Sequence, residues 1–444
     1  MIKHLRTSER FSVVGEHFYQ PSRSASHIRL KHLRTSDTDW NAVIARECYI
    51  PQLQSGTLEK ASFDFYATIR RDMLRIAPKE SVALRESMRA RGVGDPYLHA
   101  LLPDLPERDK VILVQAGWEA FKKDAGGVPP QWFWAPETAL DTQTLEVLAR
   151  VGYKGVICAP EQIGGVKGEI DNFPVRIKLK SRAEILLLPF DRPLSSQFAF
   201  EDKSNADRFA DQVVKPRILR LPKSVPIIGW TDGETFGHHA KFADKFLQHL
   251  VSSSLPSIGV AVLGLNQIQE VWDKNDYRDG RLRERTAWSC PHGDLARWHK
   301  ECPCDAGWHG GWKRSFSNAL AELNRQVDSV LDKQLGRFWS EELAKNFDTY
   351  FYFHGEVKNN KKSLYAAKAS ALGAQISCGT FFDNPGTSGT INMLFARQTL
   401  EHLIDAGYSR LAQQLKQQFL QTLSNGMDPH TKKQLDKYFA YYFN

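Results

Sequence analysis

The sequence predicts an α/β barrel-like fold followed by a C-terminal domain made of helices. Between about residues 11 and 265, short apolar runs typical of buried strands alternate with amphipathic helical segments. Such alternation is typical of a parallel sheet or barrel. From about residue 310 the strand patterns fade and helical patterns follow one another. We therefore expect residues 1–265 to form the barrel and residues 313–444 to form the helical domain.

Each predicted strand of the first region is a short apolar run that ends in polar or turn-forming residues. The predicted strands are 11–15, 63–68, 131–135, 155–159, 185–188 and 225–230. The predicted helices are 39–50, 107–124 and 141–151, with a further helix that has Phe242, Phe246, Leu247 and Leu250 on one face. Gly126 and Gly152 follow two of these helices, at positions where glycine commonly ends a helix.

The second region carries helical patterns alone. Its predicted helices are 313–334, 339–349, 361–374, 388–405, 407–423 and 430–442. The segment between the two domains, residues 266–312, is rich in Trp, Gly, Cys and charged residues. We expect this segment to complete a cleft on the barrel.

The composition is that of a globular protein. The chain has 444 residues, of which 42% are hydrophobic, so it is long enough for two cores. Its formal net charge is +8, but basic and acidic residues are interleaved, so no nucleic-acid partner is expected. The absence of a long apolar run and of an N-terminal signal-peptide core leads us to expect no membrane partner and a cytoplasmic location.

Two carboxylates come directly after predicted strands. Glu137 follows strand 131–135, and Asp232 follows the strand that ends at Trp230. Chemistry in barrels and open α/β sheets takes place at the C-terminal ends of strands, so both carboxylates are expected on one rim. Cleavage of a glycosidic bond requires two carboxyl groups that face one substrate. Trp134 and Trp230 are expected to line the substrate site, where apolar walls raise the pKa of the acid partner.

Other polar side chains are predicted at the same strand ends. His17 follows the first strand and is placed to hydrogen-bond a sugar hydroxyl. Glu234 and His238 lie close to Asp232, and we expect both to contact substrate. The alternative is that these groups only satisfy loop backbone and cap the next helix.

Four residues of the middle segment have the character of soft metal ligands: Cys290, His292, Cys302 and Cys304. Their spacing, Cys-x-His followed by Cys-x-Cys, differs from standard zinc patterns, in which two to four residues separate paired ligands. Two interpretations stay open, a structural metal site or free thiols in a packed loop. The sequence contains neither a Gly-rich phosphate loop nor a GxSxG nucleophile motif.

These segments resemble those of glycoside hydrolase family 57, in its poorly characterised amylase-like branch. The resemblance covers most of the chain and rests on His17-Phe-Tyr-Gln-Pro21, Trp134-Ala-Pro-Glu137-Thr138, Thr231-Asp-Gly-Glu-Thr-Phe-Gly-His-His239, Ala287-Trp-Ser-Cys-Pro-His-Gly293 through Trp298, and Ser377-Cys-Gly-Thr-Phe-Phe-Asp383. Each segment alone is weakly specific, whereas their order and spacing together are specific.

The resemblance implies an incomplete (β/α)7 barrel followed by a C-terminal helical domain. It implies that Glu137 is the nucleophile and Asp232 the general acid/base of a retaining α-glucan enzyme, of amylase, 4-α-glucanotransferase or branching type. It also implies sugar contacts by Trp288 and Trp298, and by Asp383 in the helical domain. It implies no cofactor, and retention implies carboxyl groups about 5–5.5 Å apart.

Two positions depart from the family pattern. Gly15 stands where the opening motif often has His, and Asp64 stands where the branch tends to have Asn. Both positions bear on substrate preference. The predicted carboxylate pair is intact, so we expect an active enzyme.

Two other functions stay open from the sequence alone. A metal-dependent carbohydrate deacetylase would use Asp232 with His238 or His239 as ligands. A non-catalytic glucan-binding protein would use the Trp-rich cleft and show binding without turnover.

Overall fold

The structure is a computed structural model that describes residues 9–22, 38–166, 168–290, 292, 294–300, 302, 311–354, 360–386 and 389–424, with 432, 433, 436, 439, 442 and 443. The chain divides into two compact units. The first unit contains the described residues of Met1–Gln20, Trp40–Asp95 and Gly117–Glu284, and the second contains those of Pro21–Asp39, Pro96–Ala116 and Arg285–Asn444. The division after Glu284 falls inside the segment that the sequence analysis placed between the domains.

The first unit is built around parallel strands. In chain order they are β1 (Arg10–Phe18), β2 (Ser62–Phe65), β3 (Gly92–Val93), β4 (Trp132–Trp134), β5 (Gly155–Cys158), β6 (Ile163–Gly164), β7 (Val175–Lys178), β8 (Glu184–Pro189), β9 (Ile227–Asp232), β10 (Val260–Val262), β11 (Arg278–Asp279) and β12 (Arg281–Leu282). Parallel pairing runs through β9, β1, β2 and β3, and separately through β4, β5 and β8. A parallel bridge between Gly94 and Phe133 joins the two groups. The resulting order, β9-β1-β2-β3-β4-β5-β8, is that of an incomplete (β/α)7 barrel.

The barrel is open between β8 and β9, which form no strand pairing within the described part of the chain. The side chain of Asn172 bridges this edge, because its Oδ1 accepts from the backbone N–H of Ile228 at 2.7 Å. The backbone N–H of Asp191, just after β8, donates to the carbonyl of Ile228 at 2.8 Å. Two hydrogen bonds thus replace a strand ladder at this point.

Helices cover the strands of the first unit on the outside. They are α1 (Trp40–Ile44), which continues through a π-helical segment (Ala45–Tyr49) into α2 (Ile50–Gln54), then α3 (Ala67–Ile76), α4 (Glu80–Arg91), α5 (Glu107–Asp124), of which residues 117–124 belong to this unit, α6 (Thr142–Val151), α7 (Arg192–Phe200), α8 (Ala206–Phe209), α9 (Lys215–Ile218), α10 (Ala243–His249) and α11 (Leu255–Ser257). One apolar core lies between β1, β9 and helices α7 to α11, around Phe198, Phe209 and Leu247. A second core lies around Phe18, Phe63 and Tyr49. These cores fix the strands whose ends carry the polar residues.

The second unit is helical. Its helices after Glu284 are α12 (Ala296–His299), α13 (Trp312–Leu335), α14 (Trp339–Lys345), α15 (Phe347–Phe351), α16 (Asn360–Gly373), α17 (Cys378–Phe381), α18 (Gly389–Asp405) and α19 (Ser409–Ser424). Its interior holds a buried ionic centre, in which Nζ of Lys368 lies 2.7 Å from Oδ1 of Asp109 and 2.5 Å from Oδ1 of Asp328. Of the helices that the structure describes, none has both the length and the apolar character needed to cross a membrane.

The predicted fold class is confirmed, and most element boundaries agree within two residues. The predicted strand 63–68 was too long, since β2 ends at Phe65 and α3 begins at Ala67. The helix predicted to include Phe242 begins one residue later, because Phe242 has a left-handed backbone (φ 66°) and an exposed side chain. The predicted helix 430–442 lies largely outside the described residues.

Candidate active site

Three neighbouring strands place His17, Asp64 and Asp232 side by side. In the parallel register, His17 on β1 is level with Asp64 on β2 and with Asp232 on β9. Glu137 follows β4, whose C-terminal end lies on the same side of the barrel because the strands are parallel. We call this set of strand ends, with His17, Asp64, Glu137 and Asp232, the rim.

His17 and Asp64 form a buried ion pair at the rim. Nδ1 of His17 lies 2.7 Å from Oδ2 of Asp64. Burial lowers the pKa of His17, but the charges of Asp64, Asp232 and Glu234 outweigh burial and raise the pKa to about 9. Burial raises the pKa of Asp64 to about 6, although His17 lowers it. His17 is therefore an imidazolium at neutral pH, surrounded by carboxyl groups.

The backbone at Glu137 is strained. The φ angle is 57° at Glu137 and 52° at Thr138, a region that residues with a side chain rarely adopt. The N–H of Thr138 donates to the carbonyl of Ala135 at 2.8 Å, and the buried amide of Gln162 donates to the carbonyl of Thr138 at 2.7 Å. Strain that is held by surrounding bonds is typical of functional sites. Here it occurs at the carboxylate that the family resemblance implies is the nucleophile.

Asp232 is the last residue of β9, and its side chain is exposed. Its pKa is raised because the surrounding protein displaces solvent on several sides, whereas the charges of His17 and His239 lower it. A carboxyl group with a raised pKa that substrate can still reach is suited to donate a proton. This environment fits the acid role that the sequence analysis gave to Asp232.

Glu234 is buried two residues beyond Asp232. The hydroxyl of Tyr49 donates to Oε1 of Glu234 at 2.6 Å, and the amide of Gln20 donates to the same oxygen at 3.4 Å. Burial and the charge of Asp232 together raise the pKa of Glu234 to about 7, although the Tyr49 hydrogen bond lowers it. Protein groups thus position Glu234, and its predicted contact with substrate stays a prediction.

The rings of His17, Trp134 and Trp230 form a stack with Trp134 in the middle. The ring of Trp134 lies 5.3 Å from that of Trp230 at an interplanar angle of 14°, and 5.2 Å from the imidazole of His17. Both tryptophans are fully buried. A Cβ at Gly15 would lie 1.9 Å from Cε3 of Trp230, so the glycine makes room for this indole. The departure from the family pattern at Gly15 is therefore coupled to the packing of Trp230.

His238 is engaged by another protein group. Its Nδ1 lies within hydrogen-bonding distance, 2.6 Å, of Oε2 of Glu47 at the surface of the first unit. A zinc deacetylase would need His and Asp ligand atoms gathered around one point. Within the described ranges, no group of three His, Cys, Asp or Glu ligand atoms lying within 4.8 Å of one another includes Asp232. This geometry does not favour the deacetylase hypothesis.

Trp288, Trp298 and Asp383 belong to the second unit. Trp288 is partly exposed. Trp298 is fully buried with its ring 5.8 Å from that of Phe381, and Asp383 is buried in an ion pair with Lys313 at 2.5 Å. These contacts pack the unit internally, and the roles in sugar binding that the family resemblance implied for the three residues stay predictions.

Four residues that the sequence analysis did not select also shape the rim: Tyr49, Tyr66, Asp95 and Gln162. The ring of Tyr66 lies 6.0 Å from His17, and burial together with the charges of Asp95 and Glu137 raises its pKa. Asp95 follows β3 and is fully buried, which raises its pKa to about 8. The position of Asp95 after a strand was a usable signal, but β3 has only two residues and no recognisable apolar run.

An open parallel barrel with two carboxylates on its rim is typical of enzymes that cleave glycosidic bonds. The sequence model of Glycosyl hydrolase family 57 matches residues 3–279, which is more than half of the chain. The chain belongs to this family. A search of curated proteins found no match.

Solved structures of the same fold share little sequence with this chain. An exo-type maltose-forming amylase from Pyrococcus sp. ST04 is 16% identical, with a TM-score of 0.70 over 91% of this chain and 82% of that one. A branching enzyme of the same family type from Pyrococcus horikoshii is 13% identical, with a TM-score of 0.65 over 97% and 94%. A 4-alpha-glucanotransferase from Thermococcus litoralis is 14% identical, with a TM-score of 0.55 over 90% of this chain and 60% of that one.

Proposed function

We propose that this protein is a retaining enzyme that cleaves or transfers α-glucosidic linkages in α-glucans. The observation that carries the proposal is that an exposed Asp232 of raised pKa and Glu137 both lie at the C-terminal ends of strands of one parallel barrel. Family membership supports a glycosyl hydrolase reaction. The similar folds of an amylase, a branching enzyme and a 4-alpha-glucanotransferase support the choice of α-glucans.

The proposed reaction has two steps at the anomeric carbon. The carboxylate of Glu137 attacks this carbon as the glycosidic C–O bond breaks, which forms a covalent glycosyl-enzyme, and Asp232 gives its proton to the leaving oxygen. Asp232 then takes a proton from the acceptor, whose oxygen displaces Glu137. Two inversions retain the configuration. The raised pKa of Asp232 keeps the acid protonated to higher pH, which the first step requires.

His17 serves the proposed site in two ways. Its positive charge beside Asp64 and Asp232 offsets the mutual repulsion of the rim carboxylates. We also assign the imidazole to a sugar hydroxyl, as the sequence analysis predicted. The buried ion pair with Asp64 fixes the ring for this contact.

The acceptor decides the product. Water gives hydrolysis, whereas a sugar hydroxyl gives transfer to a new chain or branch point. Both outcomes use Glu137 and Asp232 in the same roles. The proposal therefore covers both, and product analysis separates them.

Incubation of wild type with maltooligosaccharides, amylose and glycogen tests the proposal. We expect new chain lengths or branch points, which are lost in E137Q and D232N. Folding of each variant is checked by circular dichroism. Unchanged substrates with folded wild-type protein would contradict the α-glucan assignment.

Azide rescue separates the two carboxylate roles. With an activated α-glucoside, E137A should yield a β-glucosyl azide, because azide attacks from the face that the missing carboxylate opens. D232A should yield the α-glucosyl azide through an intact glycosyl-enzyme. D202A is a matched control, since Asp202 is an exposed carboxylate of the same unit that pairs with Arg208, and it should behave as wild type. An α-azide from E137A would overturn the assignment of Glu137 as nucleophile.

A further inference from the structure

The second unit holds a cluster of soft ligands that the proposed reaction does not use. We propose that Cys290, His292 and Cys302 bind one zinc ion. The three ligand atoms, two thiol sulfurs and one imidazole nitrogen, lie within 4.8 Å of one another. Thiolate and imidazole are the ligands that zinc prefers in structural sites. The proposal is independent of the glucan activity.

The distances between the ligand atoms match the edges of a zinc tetrahedron. Sγ of Cys290 lies 3.6 Å from Sγ of Cys302, and Nδ1 of His292 lies 3.7 Å and 3.5 Å from these two sulfurs. Zinc bonds of about 2.3 Å to sulfur and about 2.0–2.1 Å to nitrogen give tetrahedral edges of about 3.8 Å and about 3.6 Å. All three observed edges are within about 0.2 Å of these values. One cation can therefore contact all three atoms with little rearrangement.

The same distances argue against a disulfide. The S–S bond of a disulfide is about 2.05 Å, far shorter than the separation between the Cys290 and Cys302 sulfurs. Both cysteines are buried, whereas His292 is exposed. Two thiols and an imidazole converge here without a covalent link, which is the arrangement expected of a metal site.

Local contacts hold the loop that presents these ligands. The backbones of Ala287 and Cys290 form an antiparallel bridge across a tight turn. Nε of Arg285 lies 2.8 Å from Oδ1 of Asp294, and the N–H of Leu295 donates to the carbonyl of Arg285 at 3.2 Å. The last two bonds join the two ends of the loop, Arg285 on one side and Asp294 and Leu295 on the other. Contacts within the chain thus restrain residues on either side of His292.

The chemistry of binding balances charge. Zinc binds thiolates, so each cysteine releases one proton to solvent as its Zn–S bond forms. Two thiolates and a neutral imidazole cancel the charge of the cation, and the fourth position is filled by water or a further ligand. Cys304, which the sequence analysis grouped with these residues, lies outside the described residues, and the proposal is made for Cys290, His292 and Cys302. We expect the ion to stabilise the loop of the second unit.

Metal content of the purified full-length protein tests the site. Wild type prepared with reductant and zinc, then desalted, should contain about one zinc per chain by mass spectrometry. C290S and C302S should lose most of this zinc. C378S is the matched control, because Cys378 is a cysteine of the same unit outside the cluster, and it should keep the zinc.

Cobalt substitution provides a second measurement that does not depend on the folding of the cysteine variants. Chelator-treated wild type should acquire the thiolate-to-cobalt charge-transfer band on Co²⁺ addition. H292A should bind Co²⁺ at least about tenfold more weakly, and the exposure of His292 makes loss of folding unexpected. Equal zinc in wild type and a C290S/C302S double variant would overturn the proposal. A Cys290–Cys302 disulfide in reductant-treated, metal-free wild type would also overturn it.

Discussion

Each unit buries charged groups, and the two units balance that charge differently. In the second unit, Nζ of Lys368 lies 2.7 Å from Asp109 and 2.5 Å from Asp328, and it donates to the side-chain Oδ1 of Asn324 at 2.7 Å. Opposite charges meet there in one closed network. Charged groups that are buried in proteins are usually paired in this way, so the network indicates a structural role.

The rim of the first unit buries more acid than base. Asp64, Asp95 and Glu234 have pKa values raised to about 6, 8 and 7, and burial also raises that of Glu16 well above its usual range. His17 lies beside Asp64 as an imidazolium, and the charge of Arg70 acts on Asp95. Carboxyl groups that no matched set of cations neutralises are typical of functional sites. Direct pairing of both carboxylates with one lysine, more than burial itself, distinguishes the ionic centre of the second unit from the rim, where the buried carboxyl groups of Glu16 and Asp95 accept no hydrogen bond from the described residues.

The largest expected effect is a loss of activity, without a loss of stability, when Asp232 on the rim is replaced. D232N removes the proposed proton donor, so turnover of glucans should fall about 10²–10⁴-fold. The melting temperature should change little, because the side chain is exposed. Rate assays and thermal unfolding of the same samples check both parts. A variant that keeps full turnover would contradict the acid assignment.

Replacement of Lys368 in the ionic centre of the second unit should instead lower the stability of the fold. K368M leaves Asp109 and Asp328 without their cation, which should lower the free energy of unfolding by about 3–5 kcal/mol. Urea unfolding measures this loss. K333M on the exposed face of α13 is the control and should stay within about 0.5 kcal/mol of wild type. Equal effects of the two variants would remove the contrast between the regions.

A smaller loss of stability is expected at the contact between Gly15 and Trp230. G15A should cost about 1–3 kcal/mol, because the new methyl group overlaps the indole of Trp230. In a double-mutant cycle with W230A, the cost of G15A should largely disappear. Urea unfolding of the four proteins gives the coupling energy. Additive costs would show that the glycine and the indole are not coupled.

The smallest expected effect is a change in the pKa of His17, measured by titration. The imidazole of His17 should titrate near pH 9 in wild type and well below this in D64N, because burial then acts without the ion pair. The folded state retains a proton that the unfolded chain releases above about pH 6.5, so stability should decrease as the pH rises from 6.5 to 9. Histidine NMR and urea unfolding at several pH values measure both quantities. An unchanged midpoint in D64N would remove Asp64 as the cause.

Sequence reasoning predicted the parts of the site that follow from local pattern. Glu137 and Asp232 each come after an apolar run, so their place at strand ends was predictable. The pairing of His17 with Asp64 depends on the register between β1 and β2, which a single segment does not encode. The hydrogen bond from the Gln162 amide to the carbonyl of Thr138, next to the strained backbone at Glu137, likewise forms only in the folded chain.

The two departures from the family pattern show the same limit of reasoning from sequence alone. Gly15 and Asp64 were identified as unusual residues, but their physical consequences required partners distant in sequence. Trp230 occupies the space that Gly15 leaves, and Asp64 provides the counter-charge of His17. Sequence pattern located these positions, whereas packing and electrostatics explain them.

The position of β1 between β2 and β9 also has a consequence for synthesis on the ribosome. At about 5–20 residues per second, His17 is made about 10–45 s before Asp232, the partner level with it on β9. Throughout that interval β1 has one long edge without its native neighbour. Nascent chains with such an edge are prone to pair wrongly, so we expect folding yield to depend on chaperones that shield β1 until β9 emerges.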